Sequence, residues 1–114
     1  MSYTLAFWAG GDDLDPDETY LAFADDLIAG VGVIDAAEVD RALDGLVGWT
    51  RDANFLHPPG SGHDGPAFDV SIGIQLAQFT AYGIQDGNHL NAVIDAMHPL
   101  GFRLYDPQTR ERFA

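Results

Sequence analysis

Four histidines (His57, His63, His89 and His98) and eighteen Asp and Glu residues are the groups in this sequence whose chemistry could reach beyond packing. Zinc asks for three or four convergent nitrogen, oxygen or sulfur donors. The chain has no cysteine, so the candidates narrow to His57, His63 and Asp64, close together in one stretch, with His89 further on. None of these shows a diagnostic ligand spacing, and His89 and His98 would stand about two and a half turns apart on a helix. Asp13, Asp15 and Asp17 alternate as in a calcium loop. However, Glu18 stands where that loop needs glycine, and Ala24 where it needs the closing bidentate glutamate. The string Gly60-Ser61-Gly62-His63-Asp64 sets serine, histidine and aspartate side by side, whereas a catalytic triad converges from separated segments. No lysine exists for a phosphate-binding loop, and Gly30-Val31-Gly32 follows a helix pattern rather than joining strand to helix. The residue types therefore favour binding over catalysis, with no catalytic residue, no cofactor, and only His57, His63 and Asp64 as metal candidates.

The elements that must position these groups follow from periodicity. Residues 3–8 alternate as a strand. Asp15-Pro16-Asp17-Glu18 is a helix start with Asp15 as N-cap, and apolar spacing carries the helix from there to about Ala29. Asp35, three residues before Glu38, starts a second helix with Val39, Leu43 and Leu46 on one stripe. A short strand is predicted within 49–56, then a loop over 57–66 dense in Pro and Gly. Phe68 to Ile74 alternate clearly, residues 77–84 form the hairpin partner, and Asp86 caps a helix ending near Pro99 and Gly101. Phe102 to Tyr105 make a last strand, closed by an Asp106-Pro107 turn.

This order predicts a single α+β domain over residues 1–114. The arrangement is a ferredoxin-like split β-α-β sandwich, with an extra helix after the first and an antiparallel sheet carrying its helices on one face. On that plan the other face of the sheet is open. Strand parity places Trp8, Tyr82, Arg103 and Tyr105 there, beside Asp69, Gln78 and Thr80. Large aromatic and Arg side chains are those that anchor protein interfaces. A loop or a homodimer covering the same face is the alternative.

Net charge is −13, from eighteen acids against five arginines and no lysine. Such a field repels nucleic acid and steers a basic protein toward the chain; adaptation to salt would write the same composition. Helix starts account for Asp15, Asp17, Glu18, Asp35, Glu38 and Asp86. Asp12, Asp13, Asp25, Asp26, Asp40, Asp44, Asp52, Asp64, Asp69 and Asp95 remain as recognition charge. No apolar run reaches the roughly 20 residues of a membrane span, and the start lacks the basic region of a secretory signal, so a cytoplasmic location is expected.

The two ends carry a resemblance. Ser2-Tyr3-Thr4-Leu5-Ala6-Phe7-Trp8 is similar to the Ser-Tyr-Asp-Leu-x-Phe-Trp start of a group of small uncharacterised bacterial proteins. Leu90-Asn91-Ala92-Val93-Ile94-Asp95, then Pro99-Leu100 to Tyr105-Asp106-Pro107-Gln108 with Arg112-Phe113, resembles their ending. Thr4 stands in place of their usual Asp, and Gly101-Phe102-Arg103 where Gly-Cys-Pro is common. That group resembles the immunity proteins that accompany polymorphic bacterial toxins. The resemblance implies an inhibitor of a basic toxin, such as a nuclease, with no catalytic residues. The partner-binding residues expected are Trp8, Asp12, Asp13, Asp69, Tyr82, Arg103 and Tyr105. A metal protein using the His57–Asp64 loop and a structural homodimer are the other two readings.

Overall fold

β1 (Ser2–Trp8) lies inside the sheet, and in the computed structural model, which describes residues 2–62 and 65–113, both of its sides are buried from Leu5 to Trp8. Leu5 and Phe7 point to one face, Ala6 and Trp8 to the other. An unbroken apolar run of this kind is what a strand covered on both faces requires. β1 runs antiparallel to β5 (Ala77–Tyr82), with Leu5 opposite Phe79, and to β6 (Arg103–Asp106), with Trp8 opposite Arg103. Outward from β5 come β4 (Ala67–Ile72), β3 (Phe55–His57) and β2 (Thr50–Asp52). Outward from β6 lies β7 (Glu111–Arg112). The sheet is seven-stranded and antiparallel throughout, in the order β2-β3-β4-β5-β1-β6-β7.

Three helices complete the α+β domain: α1 (Pro16–Ala22), α2 (Ala36–Asp44) and α3 (Gly87–Met97). Each begins as its sequence predicts. Asp15, Asp35 and Asp86 sit as extended N-caps and accept hydrogen bonds from the amides of Asp17, Ala37 and Asn88. Val39 and Leu43 of α2 and Val93 and Met97 of α3 pack on Leu5, Phe7, Phe68 and Phe79, forming the larger core. Phe79 meets both Phe7 and Phe68 edge to face, at centroid distances of 5.6 and 6.5 Å. No described helix is long and apolar enough to cross a membrane.

The helices do not all share one face, and here the sequence expectation is corrected. α1 and the chain after it cross to the opposite side of the sheet. There Tyr20, Phe23 and Ile28 pack on a second, smaller core of Ala6, Trp8, Val31 and Tyr105. α1 also ends at Ala22 rather than near Ala29. The next residues turn and then extend, so that Val31 pairs with Gly10 as an isolated bridge. Gly10 (φ +78°) is required here, because a Cβ on it would lie 2.5 Å from the Gly30 carbonyl oxygen. The short strand expected within 49–56 is in fact the hairpin β2–β3, turning at Ala53 with φ +51°. β7 was not foreseen.

Candidate protein interface

The Trp8 end of the outer face is closed. Trp8 and Tyr105 are 0 % exposed, so both are core residues rather than anchors on an open surface. Trp8 packs against Phe23 at 5.2 Å and Tyr105 at 5.3 Å, and the Arg112 guanidinium lies 4.6 Å over its ring. Arg112 donates to the Trp8 carbonyl (3.0 Å) and to Asp12 (3.3 Å), and Arg103 donates to the same Asp12 carboxylate. Burial pushes the Arg112 pKa down, and neighbouring Arg103 adds to this while Asp12 opposes it. Asp12 thus spends its charge on both Arg103 and Arg112. Asp13 stays exposed on the same turn. Beneath α1 the Tyr105 hydroxyl donates to Asp17 (2.9 Å), with Arg110 3.9 Å from the same carboxylate. Burial, followed by this hydrogen bond, pushes the Tyr105 pKa up to about 12.

The chain ends that carry the sequence resemblance meet in space. Gln108 pairs its side-chain amide with the backbone of β1, accepting from the Thr4 N–H (2.9 Å) and donating to the Thr4 carbonyl (3.0 Å). It completes the ladder where β6 has parted from β1. The Tyr3 hydroxyl and the Gln108 amide both donate to the Asp106 carboxylate, and the backbone N–H of Gln108 adds a third bond at 2.9 Å. The hydrogen bond to Asp106, with burial second, pushes the Tyr3 pKa up to about 12. For Asp106, burial alone would raise the carboxyl pKa. The bonds from Tyr3, Gln108 and the 108 and 109 amides outweigh it and leave the pKa below the usual value.

Both shifts have a pH signature. A depressed carboxyl pKa stabilises the fold above the unfolded value near 4, and this contribution is lost as pH falls through the folded value. Thermal melts should therefore drop more steeply below about pH 4 for the natural chain than for Asp106→Asn; parallel curves would refute the role given to Asp106. The raised pKa values of Tyr3 and Tyr105 favour the folded state below about pH 10 and cease to do so as pH rises toward 12. Absorbance titration of the four tyrosines should show a late component that shrinks in Tyr3→Phe and again in Tyr105→Phe.

The other half of the same face is open. Across β3, β4 and β5 the register sets Phe55 beside Asp69 and Asp69 beside Thr80, with Tyr82 one step along. Phe55 is 43 % and Tyr82 50 % exposed, and Asp69, Gln78 and Thr80 are half-buried between them. Of the residues expected to bind a partner, Asp69 and Tyr82 thus stand together on an accessible strip, while Trp8, Tyr105, Arg103 and Asp12 lie at the closed end. Phe55 belongs to the strip as well. Its exposure could have been read from the sequence only by recognising the β2–β3 hairpin, whose parity puts it opposite Leu56.

All five arginines lie away from this strip. Arg103, Arg110 and Arg112 are at the β6–β7 end, and Arg41 is on α2 across the sheet. Arg51 bonds Asp40 at 3.3 Å. Of the candidate recognition acids, Asp52 and Asp69 share the strip's side of the sheet by register, and Asp25 and Asp26 border it along a groove shared with Ser71 and Gln78. Among the described residues, Asp69 and the groove acids Asp25 and Asp26 pair with no arginine.

The described histidines scatter. His57 is buried on β3, His89 stands edge-on to Trp49 at 5.6 Å, and His98 is exposed beyond α3. Among the described residues no three His, Asp or Glu side chains gather as metal ligands; His63 and Asp64, named as candidates with His57, lie outside the described residues. No family model matches this chain, and no curated protein or solved structure is similar enough to it to count as a match.

Proposed function

We propose that this chain is an intracellular acidic binding protein that neutralises a basic protein partner, an immunity-type inhibitor of a toxin such as a nuclease. The observation that carries the reading is the open strip. It pairs exposed Phe55 and Tyr82 with Asp69 on a rigid sheet, free of arginine, in a chain of net charge −13. Exposed aromatics on a rigid scaffold supply anchors at low entropic cost, and uncompensated acid supplies steering. We further read β4-β5-β1-β6, with α1–α2 and α3 as its crossovers, as a ferredoxin-like split β-α-β core to which β2–β3 and β7 are added at the edges.

Co-expression with the product of the adjacent gene tests the function. The expected result is a co-purifying complex, relief of that product's toxicity, and affinity that falls as salt rises through about 0.1 M and beyond. Asp69→Arg should weaken the complex by about tenfold or more, because it places a cation where the partner presents one. A toxic neighbour that is neither bound nor neutralised would sink the proposal.

A further inference from the structure

Where the covered and open halves of the outer face meet, a groove of about 350 Å³ runs between the 23–27 segment and the β4–β5 turn. Phe23, Leu27, Ile74 and Leu76 give it apolar walls. Leu27 is 68 % and Ile74 59 % exposed, although neither is needed in water for the fold. Single exposed aliphatic residues are ordinary, but several lining one concavity mark a contact site. The groove is also held in shape. Buried Gln75 donates to the carbonyls of Ile28 (2.9 Å) and Val31 (3.1 Å) and accepts from the Ile28 N–H (2.7 Å), which ties one wall to the other. Asp25 and Asp26 also border the groove, both exposed, and neither carboxylate has a partner among the described residues.

We infer that this groove seats a basic amphipathic segment of the partner protein. An apolar side chain enters between Phe23, Leu27 and Ile74, and a neighbouring Lys or Arg reaches Asp25 and Asp26. The inference rests on the reading of the chain as a binder of a basic protein, and adds the chemistry of the segment it grips. Charge selects this occupant. A second copy would bring a −13 chain against itself, Asp25 and Asp26 facing like charge, and a phosphate backbone would be repelled outright. The apolar insertion would set the dwell time and the acids the encounter rate and orientation.

Fluorescence anisotropy on the full chain, with labelled peptides of about 12 residues, roughly three helical turns, tests it. One peptide carries Leu on one face and Lys on the other, a second has the same composition scrambled, and a third replaces Lys with Glu. The Leu/Lys peptide should bind, and the other two should bind at least about tenfold more weakly. Leu27→Gln with Ile74→Gln should cost about tenfold in affinity without moving the melting curve, since both sites are exposed. Asp25→Asn with Asp26→Asn should weaken binding and flatten its salt dependence. Equal binding of the scrambled peptide, or indifference to the groove variants, overturns the inference. If affinity falls instead only in Phe55→Ala with Tyr82→Ala, the groove is wrong while the binding reading stands. If no cationic peptide binds at low salt, both fall. A dimer in sedimentation that the groove variants dissolve would assign the groove to a second copy and overturn the inference.

Discussion

Trp8→Ala should cost about 3–5 kcal/mol, the range for removing a large aromatic from a packed core. Against a total stability of about 5–15 kcal/mol for a domain, that is a large fraction of what holds the fold. The size of the effect follows from what the side chain touches. It is the centre of the second core, with Phe23 and Tyr105 on its ring and Arg112 stacked above it. Its loss would also leave the guanidinium of a buried arginine without its aromatic partner. Urea unfolding followed by far-ultraviolet dichroism measures this, with Tyr82→Ala as the contrast: half exposed, it should shift stability by no more than about 0.5 kcal/mol. If the two variants proved equally mild, Trp8 would be a surface residue after all.

The second large effect belongs to Gln75→Leu. Leucine fills much of the same volume but offers none of the three hydrogen bonds by which Gln75 holds the backbone of Ile28 and Val31. A buried backbone group left unpaired costs about 1–3 kcal/mol. Water reaches part of this segment, so the expected total is about 2–4 kcal/mol rather than the full sum. The loss should be local first. Hydrogen exchange should quicken across residues 26–33 while β1 and β5 keep their protection, because the segment opens without the sheet. Unchanged exchange there would show that apolar packing alone holds the strand-like crossing. The same variant should slacken the groove, since Gln75 links its two walls.

This amide also shows where the sequence stopped being legible. The helix starts were readable because capping is local: an aspartate and the amide two residues on decide it, and Asp15, Asp35 and Asp86 all behave so. The β4–β5 hairpin was readable because Phe68, Val70, Phe79 and Ala81 alternate with residues that stay nearer water. The end of α1 was not. Tyr20, Phe23, Leu27 and Ile28 keep helical spacing, but after Ala22 the chain turns and Ile28 is held by a glutamine 47 residues away, and no local period carries that information. For β1 the signal was present and outweighed by parity. Leu5-Ala6-Phe7-Trp8 is apolar without a break, which points to burial on both faces, whereas alternation assigned Trp8 to an open one. Half of the candidate site followed from that assignment. Asp69 and Tyr82 lie on the open strip because α1 meets β5 on that side only as far as Gln78, which accepts from the Tyr20 hydroxyl, while Asp25 and Asp26 border the groove because the chain after α1 crosses the sheet.

The placing of β1 inside the sheet also bears on how the chain comes off the ribosome. Thr4 meets Thr80 across a separation of 76 residues, and Gln108 across 104. At synthesis rates of about 5–20 residues per second, β1 waits roughly 4 to 15 seconds for its first partner strand, both edges unpaired and its apolar residues uncovered. Neither α1 nor α2 can shelter it alone, because each packs on a sheet that does not yet exist. The nascent chain is therefore most exposed to misassociation through the segment that ends up most deeply enclosed. Its folding is set to be late, nearly all at once, and slow for its length.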